Sequence, residues 1–265
     1  MTKPKLQVIG GGRMGEALVA GLVRARWVTA DQVQVVEKLP ARADALRAAL
    51  AGTSVVDQPG DADGHLVAVK PADVAAACAA IAATGSTNRV LSVAAGVTLA
   101  QLEQGLLSGT PVVRAMPNTP ALVGAGAAAV APGTAAHDDD LVWAEQILGA
   151  VGTVVRVDEQ LLDAVTGLSG SGPAYVFLVV EALVEAGVLA GLPRPISKAL
   201  ATQTVLGAAR MLDETGDSPE ALRAAVTSPG GTTAAGLREL ERSGVRAAFL
   251  DAVTAATTRS RELGA

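Results

Sequence analysis

Short aliphatic runs alternate with segments of helical period along the chain as far as residue 157. Residues 5–9 have the pattern of a buried strand, the stretch ending near Arg26 that of a helix, and residues 33–37 that of a second strand. A helix over about 41–51 leads to a weaker strand at 54–56. There follow a strand at 66–69, a helix at 74–83, a strand at 90–93, a helix at 99–106 and a strand at 112–115. Beyond Pro120, residues 126–131 and 153–157 read as strands flanking a helix over about 137–148, and they extend the sheet. Strand and helix in repeated alternation as far as residue 115 predict an α/β fold: a parallel sheet with helices on both faces.

From Glu159 onward the strand pattern ends. Long helices rich in Ala, Leu and Val follow, broken by proline turns at Gly172-Pro173, Leu192-Pro193, Ser218-Pro219 and Ser228-Pro229. We therefore expect two domains: an α/β domain over 1–157, and an all-helical domain over 158–265. Apolar residues on more than one face of 176–192 predict that this half packs against a partner subunit as well as its own core.

Composition narrows the function. Half of the 265 residues are hydrophobic and 18% are charged, which excludes extensive disorder; aromatics are only 2%, so the core must be aliphatic. A net charge of -5 with no cluster of Lys and Arg argues against a nucleic-acid or anionic-membrane partner. No uninterrupted apolar segment reads as transmembrane and no signal-type apolar region is apparent, so a cytoplasmic protein is expected. Cys78 sits alone in an alanine-rich helix. His65 and His137 lie far apart and outside any ligand spacing, so no metal site is expected.

The first strand runs into Gly10-Gly11-Gly12-Arg13-Met14-Gly15 and then a helix, the order of a dinucleotide-binding turn, so the domain over 1–157 is expected to be a Rossmann-type dinucleotide-binding domain. Its first glycine makes the turn, the second admits a pyrophosphate, and the third permits close packing of helix on strand. Glu37, at the end of the second strand, is placed to accept hydrogen bonds from ribose hydroxyls, which favours NADH. Lys38 and Arg42 are placed to pair with a 2′-phosphate, which favours NADPH, so both cofactors stay open. Ala68-Val69-Lys70-Pro71 ends a central strand on the edge where open α/β sheets bind ligands. Asn118, in Met116-Pro117-Asn118-Thr119-Pro120, either meets nicotinamide or substrate or forms a local turn. In Ser228-Pro229-Gly230-Gly231-Thr232-Thr233 two glycines open onto a helix. This is either a socket for a small carboxylate or an ordinary capped turn.

Taken together, these motifs, with Ala94-Ala95-Gly96-Val97-Thr98 and the run Asp163-Ala164-Val165-Thr166-Gly167-Leu168-Ser169-Gly170-Ser171-Gly172-Pro173-Ala174-Tyr175, resemble the pyrroline-5-carboxylate reductase family over nearly the whole chain. The resemblance implies reduction of 1-pyrroline-5-carboxylate to L-proline by NADPH or NADH, the last step of proline biosynthesis. It implies that Gly10, Gly12, Arg13, Met14 and Gly15 hold the pyrophosphate, and that Ala68, Val69, Lys70, Pro71, Ala94, Ala95 and Gly96 line the nicotinamide half. Gly230, Gly231, Thr232 and Thr233 would then receive the carboxylate, with Thr233 at the ring nitrogen and Glu159 against the product. It further implies a homodimer through the helical domain and a larger ring of such dimers. Glu37-Lys38 departs from the small polar or Asn-Arg pair the family often has there. A β-hydroxyacid dehydrogenase, the rival enzyme, needs a lysine base, and none occurs between Lys70 and Lys198. The second rival is a nucleotide-sensing protein without catalysis.

Overall fold

The computed structural model describes residues 3–264. One compact unit comprises residues 3–171 with 254–264; residues 172–253 form another. The first contains β1 (Leu6–Ile9), α1 (Arg13–Arg24), β2 (Val33–Val36), α2 (Pro40–Ala49), β3 (Ser54–Val56), β4 (Gly64–Val67), α3 (Val74–Ala82), β5 (Arg89–Ser92), α4 (Leu99–Gln104), β6 (Val112–Met116), β7 (Gly126–Pro132), α5 (Asp138–Gly149), β8 (Gly152–Arg156) and the short α6 (Leu162–Val165). The strands form one sheet in the order β3-β2-β1-β4-β5-β6-β7-β8.

The sheet is parallel from β3 through β6, but β7 runs antiparallel to β6, and β8 is parallel to β7. The sequence reading has the last two strands extend the sheet without giving their direction, which the structure supplies. The link over residues 117–125 holds a single 3₁₀ turn, too short for the crossover that a parallel neighbour requires. The longer α5 connection then supplies a crossover, and β8 returns parallel to β7.

Successive residues of each strand point to opposite faces, so the core lies in two layers. Leu6, Val8, Leu66, Leu91 and Val113 pack with Leu18, Val19 and Leu22 of α1 and with Ala144, Ile147 and Leu148 of α5. On the other face Ile9, Val67, Val90 and Val112 meet Val74, Cys78 and Ile81 of α3 and Leu102 of α4. Each fully buried Leu or Ile contributes about 1.5–3 kcal/mol. Cys78 lies wholly within the second layer, and burial pushes its thiol pKa up to about 11.

Residues 172–253 hold α7 (Gly172–Leu189), α8 (Arg194–Thr215), α9 (Pro219–Ala225), α10 (Thr232–Arg242) and the start of α11 (Val245–Gly264). α7 and α8 touch closely at Gly187, where a Cβ would stand 2.2 Å from Ser197 Oγ; that hydroxyl donates to the Val184 carbonyl at 2.8 Å. Much of their apolar surface is bare: Leu189 is 91% exposed, Leu178 66% and Phe177 61%. The helical run Glu159–Leu189, 31 residues of mean hydropathy 1.7 over its most apolar window, is by length and composition alone long enough to cross a membrane. The sequence reading missed it because Gly172-Pro173 looks like a break, whereas Pro173 lies in the first turn of α7, where its missing N–H costs nothing.

Candidate active site

Strand order reverses between β1 and β4, and the loops leaving their carboxyl ends flank that switch point. Backbone hydrogen bonds fix the rim: Gly10 N–H donates to the Val36 carbonyl at 3.0 Å, Ala68 N–H to Ile9 at 2.8 Å, Glu37 N–H to Val56 at 2.9 Å and Val93 N–H to Val67 at 3.0 Å. The structure thus gathers the 10–15 loop, Glu37, residues 68–71 and residues 94–96 along one edge.

The three glycines of the loop have separate physical reasons. Gly10 has φ +105°, and a Cβ there would lie 2.7 Å from the Ala68 carbonyl oxygen, so both conformation and space exclude other residues. At Gly15 a Cβ would stand 2.3 Å from the Gly10 carbonyl oxygen, because α1 starts hard against the end of β1. Gly12 differs: it caps α1 with an ordinary φ of -65°, and nothing lies within 4 Å of where its Cβ would be. No side chain caps α1, so its first amides and the positive end of its dipole face open space. That cradle fits a pyrophosphate. Arg13 is exposed beside it, while Met14 packs onto the core.

Glu37 closes one end of the edge. Its carboxylate accepts from Leu39 N–H at 2.9 Å and from Gly11 N–H at 3.2 Å. Arg42 folds back toward α1, donating from Nε to the Gly11 carbonyl at 2.7 Å and pairing its Nη2 with Glu16. Lys38 and Lys70 are exposed.

At the other end, Ala95 and Gly96 lie in the turn after β5, with Gly96 at φ +74°, whereas Ala94 is buried in the core and offers only its backbone. Pro71, Ala95, Gly96, Thr166, Ser171 and Leu263 are among the residues lining a largely apolar cavity of about 360 Å³ beside this turn.

Asn118 has protein partners distant in sequence. It is buried; its Nδ2 donates to the Ser169 carbonyl at 3.0 Å, and its Oδ1 accepts from Ala127 N–H at 2.9 Å. Both ends of its amide thus bond within the protein, to partners beyond a local turn. Ser169 belongs to a π-helical turn at Thr166–Gly170, closed by Ser171 N–H donating to the Thr166 carbonyl at 2.8 Å. Such a turn leaves carbonyls without helical partners, and Asn118 satisfies one. Gly170 makes room for Met116, whose Cε would be 2.7 Å from a Cβ there. The two sequence motifs therefore interlock. Glu159 is also engaged, accepting from Leu99 N–H at 2.7 Å and from Arg114 Nη1 at 2.8 Å.

The 228–233 turn belongs to the helical unit. Gly230 has φ +70°, a conformation that favours glycine; at Gly231 a Cβ would stand 2.4 Å from Ser228 Oγ. Gly231 caps α10 through its backbone, no side chain caps the helix, and Thr232 and Thr233 are exposed in its first turn. Its first-turn amides thus have no side-chain cap, the arrangement that suits an anion at a helix N-terminus.

A glycine cradle at the switch point of a Rossmann-type sheet, followed by an all-helical unit, defines a two-domain, nicotinamide-dependent oxidoreductase. Family models agree: one described as NADP oxidoreductase, coenzyme F420-dependent, matches residues 5–96, and one described as pyrroline-5-carboxylate reductase dimerisation matches residues 159–263. The chain belongs to the pyrroline-5-carboxylate reductase family. It is 48% identical to the Mycobacterium tuberculosis pyrroline-5-carboxylate reductase, over 98% of this chain and 96% of that one. It is 45% identical to the Synechocystis enzyme of the same name, over 98% of each. A solved pyrroline-5-carboxylate reductase from Coxiella burnetii superposes with a TM-score of 0.93 at 37% identity, covering 100% of both chains. The Plasmodium falciparum enzyme, solved with NADP bound, superposes at 0.85 with 30% identity, again covering 100% of both.

Proposed function

We propose that this chain reduces 1-pyrroline-5-carboxylate to L-proline with NADH or NADPH, the last step of proline biosynthesis. What supports the reading is the pair of helix N-termini without a side-chain cap, at Gly12 on α1 and at Gly231 on α10, which we assign to a pyrophosphate and, with Gly230, to a carboxylate. A nucleotide sensor has no need of the second.

Gly10, Gly12, Arg13, Met14 and Gly15 would hold the pyrophosphate, Glu37 the adenosine ribose, and Ala68, Val69, Lys70, Pro71, Ala95 and Gly96 the nicotinamide end. When bound, the reduced dinucleotide supplies hydride. The substrate is a cyclic imine whose carbon becomes strongly electrophilic once its nitrogen is protonated, so the protein needs to position and bind rather than to titrate. The amides of Thr232 and Thr233 hold the carboxylate, and the Thr233 hydroxyl holds the ring nitrogen. We assign Glu159 a positioning role through Arg114 and the Leu99 amide, its observed partners. Ala94 contributes backbone only, and Asn118 acts by fixing the loop before β7.

The exposed apolar faces of α7 and α8 suit a homodimer through the helical unit, and the proposal extends to a ring of such dimers in the cytoplasm, with no nucleic-acid or membrane partner. Thr233→Ala tests the site: turnover should fall roughly tenfold to a hundredfold, the loss of one hydrogen bond worth about 1–3 kcal/mol, with dinucleotide affinity unchanged. Unaltered turnover would remove Thr233 from the reaction.

A further inference from the structure

We infer that this chain selects NADH over NADPH, and that Glu16 secures the choice by holding Arg42 in place; the inference rests on the reductase reading above. Two cations near the end of β2 are candidates for a 2′-phosphate, and the structure treats them differently. Arg42 is spent: its Nε is on the Gly11 carbonyl and its Nη2 on Glu16, the two carboxylate and guanidinium side chains each about one-third exposed. A two-point grip on a phosphate through its Nε–Nη2 edge would break both contacts, and Glu16 already balances its charge. Lys38 is exposed and stands next to Glu37 in the chain.

Glu37 is held for the opposite task. Gly11 N–H and Leu39 N–H each donate to one of its oxygens, which fixes the carboxylate in position. The fit is close, since a Cβ on Gly11 would stand 3.1 Å from Glu37 Oε2 and 2.2 Å from Leu46 Cδ1. An ionised carboxylate offers about four acceptor positions, so two remain for donors from outside. Ribose hydroxyls are donors. A 2′-phosphate near neutral pH is chiefly an acceptor and carries a charge of roughly -1.5 to -2, which this carboxylate repels. With Arg42 neutralised by Glu16, the cation next to Glu37 in the chain that is left to oppose that repulsion is Lys38, a flexible and strongly hydrated point charge.

The test measures dissociation constants by calorimetry on the intact protein, at fixed salt, for NADH, NADPH, 5′-AMP and 2′,5′-ADP; the two fragments report on the ribose corner without turnover. NADH should bind about tenfold more tightly than NADPH, and 2′,5′-ADP should gain nothing from its second phosphate. Glu16→Gln should strengthen NADPH about tenfold by freeing Arg42, with little change for NADH. Glu37→Gln should narrow the preference by itself. Arg42→Ala in the otherwise unchanged chain should leave the NADPH to NADH ratio within about twofold. Equal or tighter NADPH binding by the unmodified protein would overturn the inference, as would a tenfold loss of NADPH affinity in Arg42→Ala. Binding of neither dinucleotide by folded protein would instead overturn the reductase reading.

Discussion

Gly12 and Gly15 are three residues apart, yet alanine should affect them in opposite ways. At Gly15 the new Cβ would sit 2.3 Å from the Gly10 carbonyl oxygen, where ordinary contact begins at 3.4 Å. Both groups are anchored to backbone, so no rotamer relieves the clash, and α1 must lift from β1 by roughly 1 Å. Overpacking of this kind costs about 1–3 kcal/mol, and a backbone-on-backbone contact belongs at the top of that range. For a chain of this size the melting temperature should fall by roughly 6–12 °C. At Gly12 nothing lies within 4 Å, and the φ of -65° suits alanine. The smaller entropy of the unfolded chain offsets the poorer cap, each by about 0.5–1 kcal/mol, so melting should stay near that of the unmodified protein. The methyl group would instead fill the space assigned to the pyrophosphate, weakening NADH at least about tenfold. Thermal unfolding by circular dichroism and NADH binding by calorimetry separate the two effects. Normal NADH affinity in Gly12→Ala would refute the cradle; normal melting of Gly15→Ala would refute the packing argument.

Two further substitutions test the frame around the site. His65 is fully buried, its Nε2 stands 3.1 Å from the Gly60 carbonyl, and Nδ1 has no partner, so burial holds its pKa below the usual 6.5. Below about pH 6.5 the unfolded chain therefore takes up a proton that the native protein refuses, and stability should fall with pH by at most about 1.4 kcal/mol per unit from this group. Urea unfolding at pH 7.5 and 5.5 checks this, and His65→Gln should flatten that slope; an equal slope in the variant would assign the loss elsewhere. Asn118→Ala strands the Ala127 amide and the Ser169 carbonyl, and should lower stability by about 2–4 kcal/mol in the same assay. A change below about 0.5 kcal/mol would show that solvent replaces both bonds.

The sheet and the glycine edge were legible in the chain because their signals are local. An aliphatic run, a glycine turn and a helix within some twenty residues define the cradle wherever they fold. The direction of β7 follows from the short link over residues 117–125, a signal that the pattern of strands and helices does not by itself supply. The remainder depends on pairings between distant residues. Asn118 meets Ser169, Glu159 meets Arg114, and Arg42 turns back to Glu16, and nothing in the neighbourhood of any of them in sequence announces its partner. Polar side chains that look poised for a ligand were for this reason harder to read than the glycines, whose constraints are imposed by the backbone itself.

The most direct test of the whole account follows loss of reduced-nicotinamide absorbance with purified, folded protein, NADH or NADPH, and 1-pyrroline-5-carboxylate. The account predicts dinucleotide oxidation that requires the imine and yields an equal amount of L-proline. Absence of imine-dependent oxidation with either dinucleotide would contradict it.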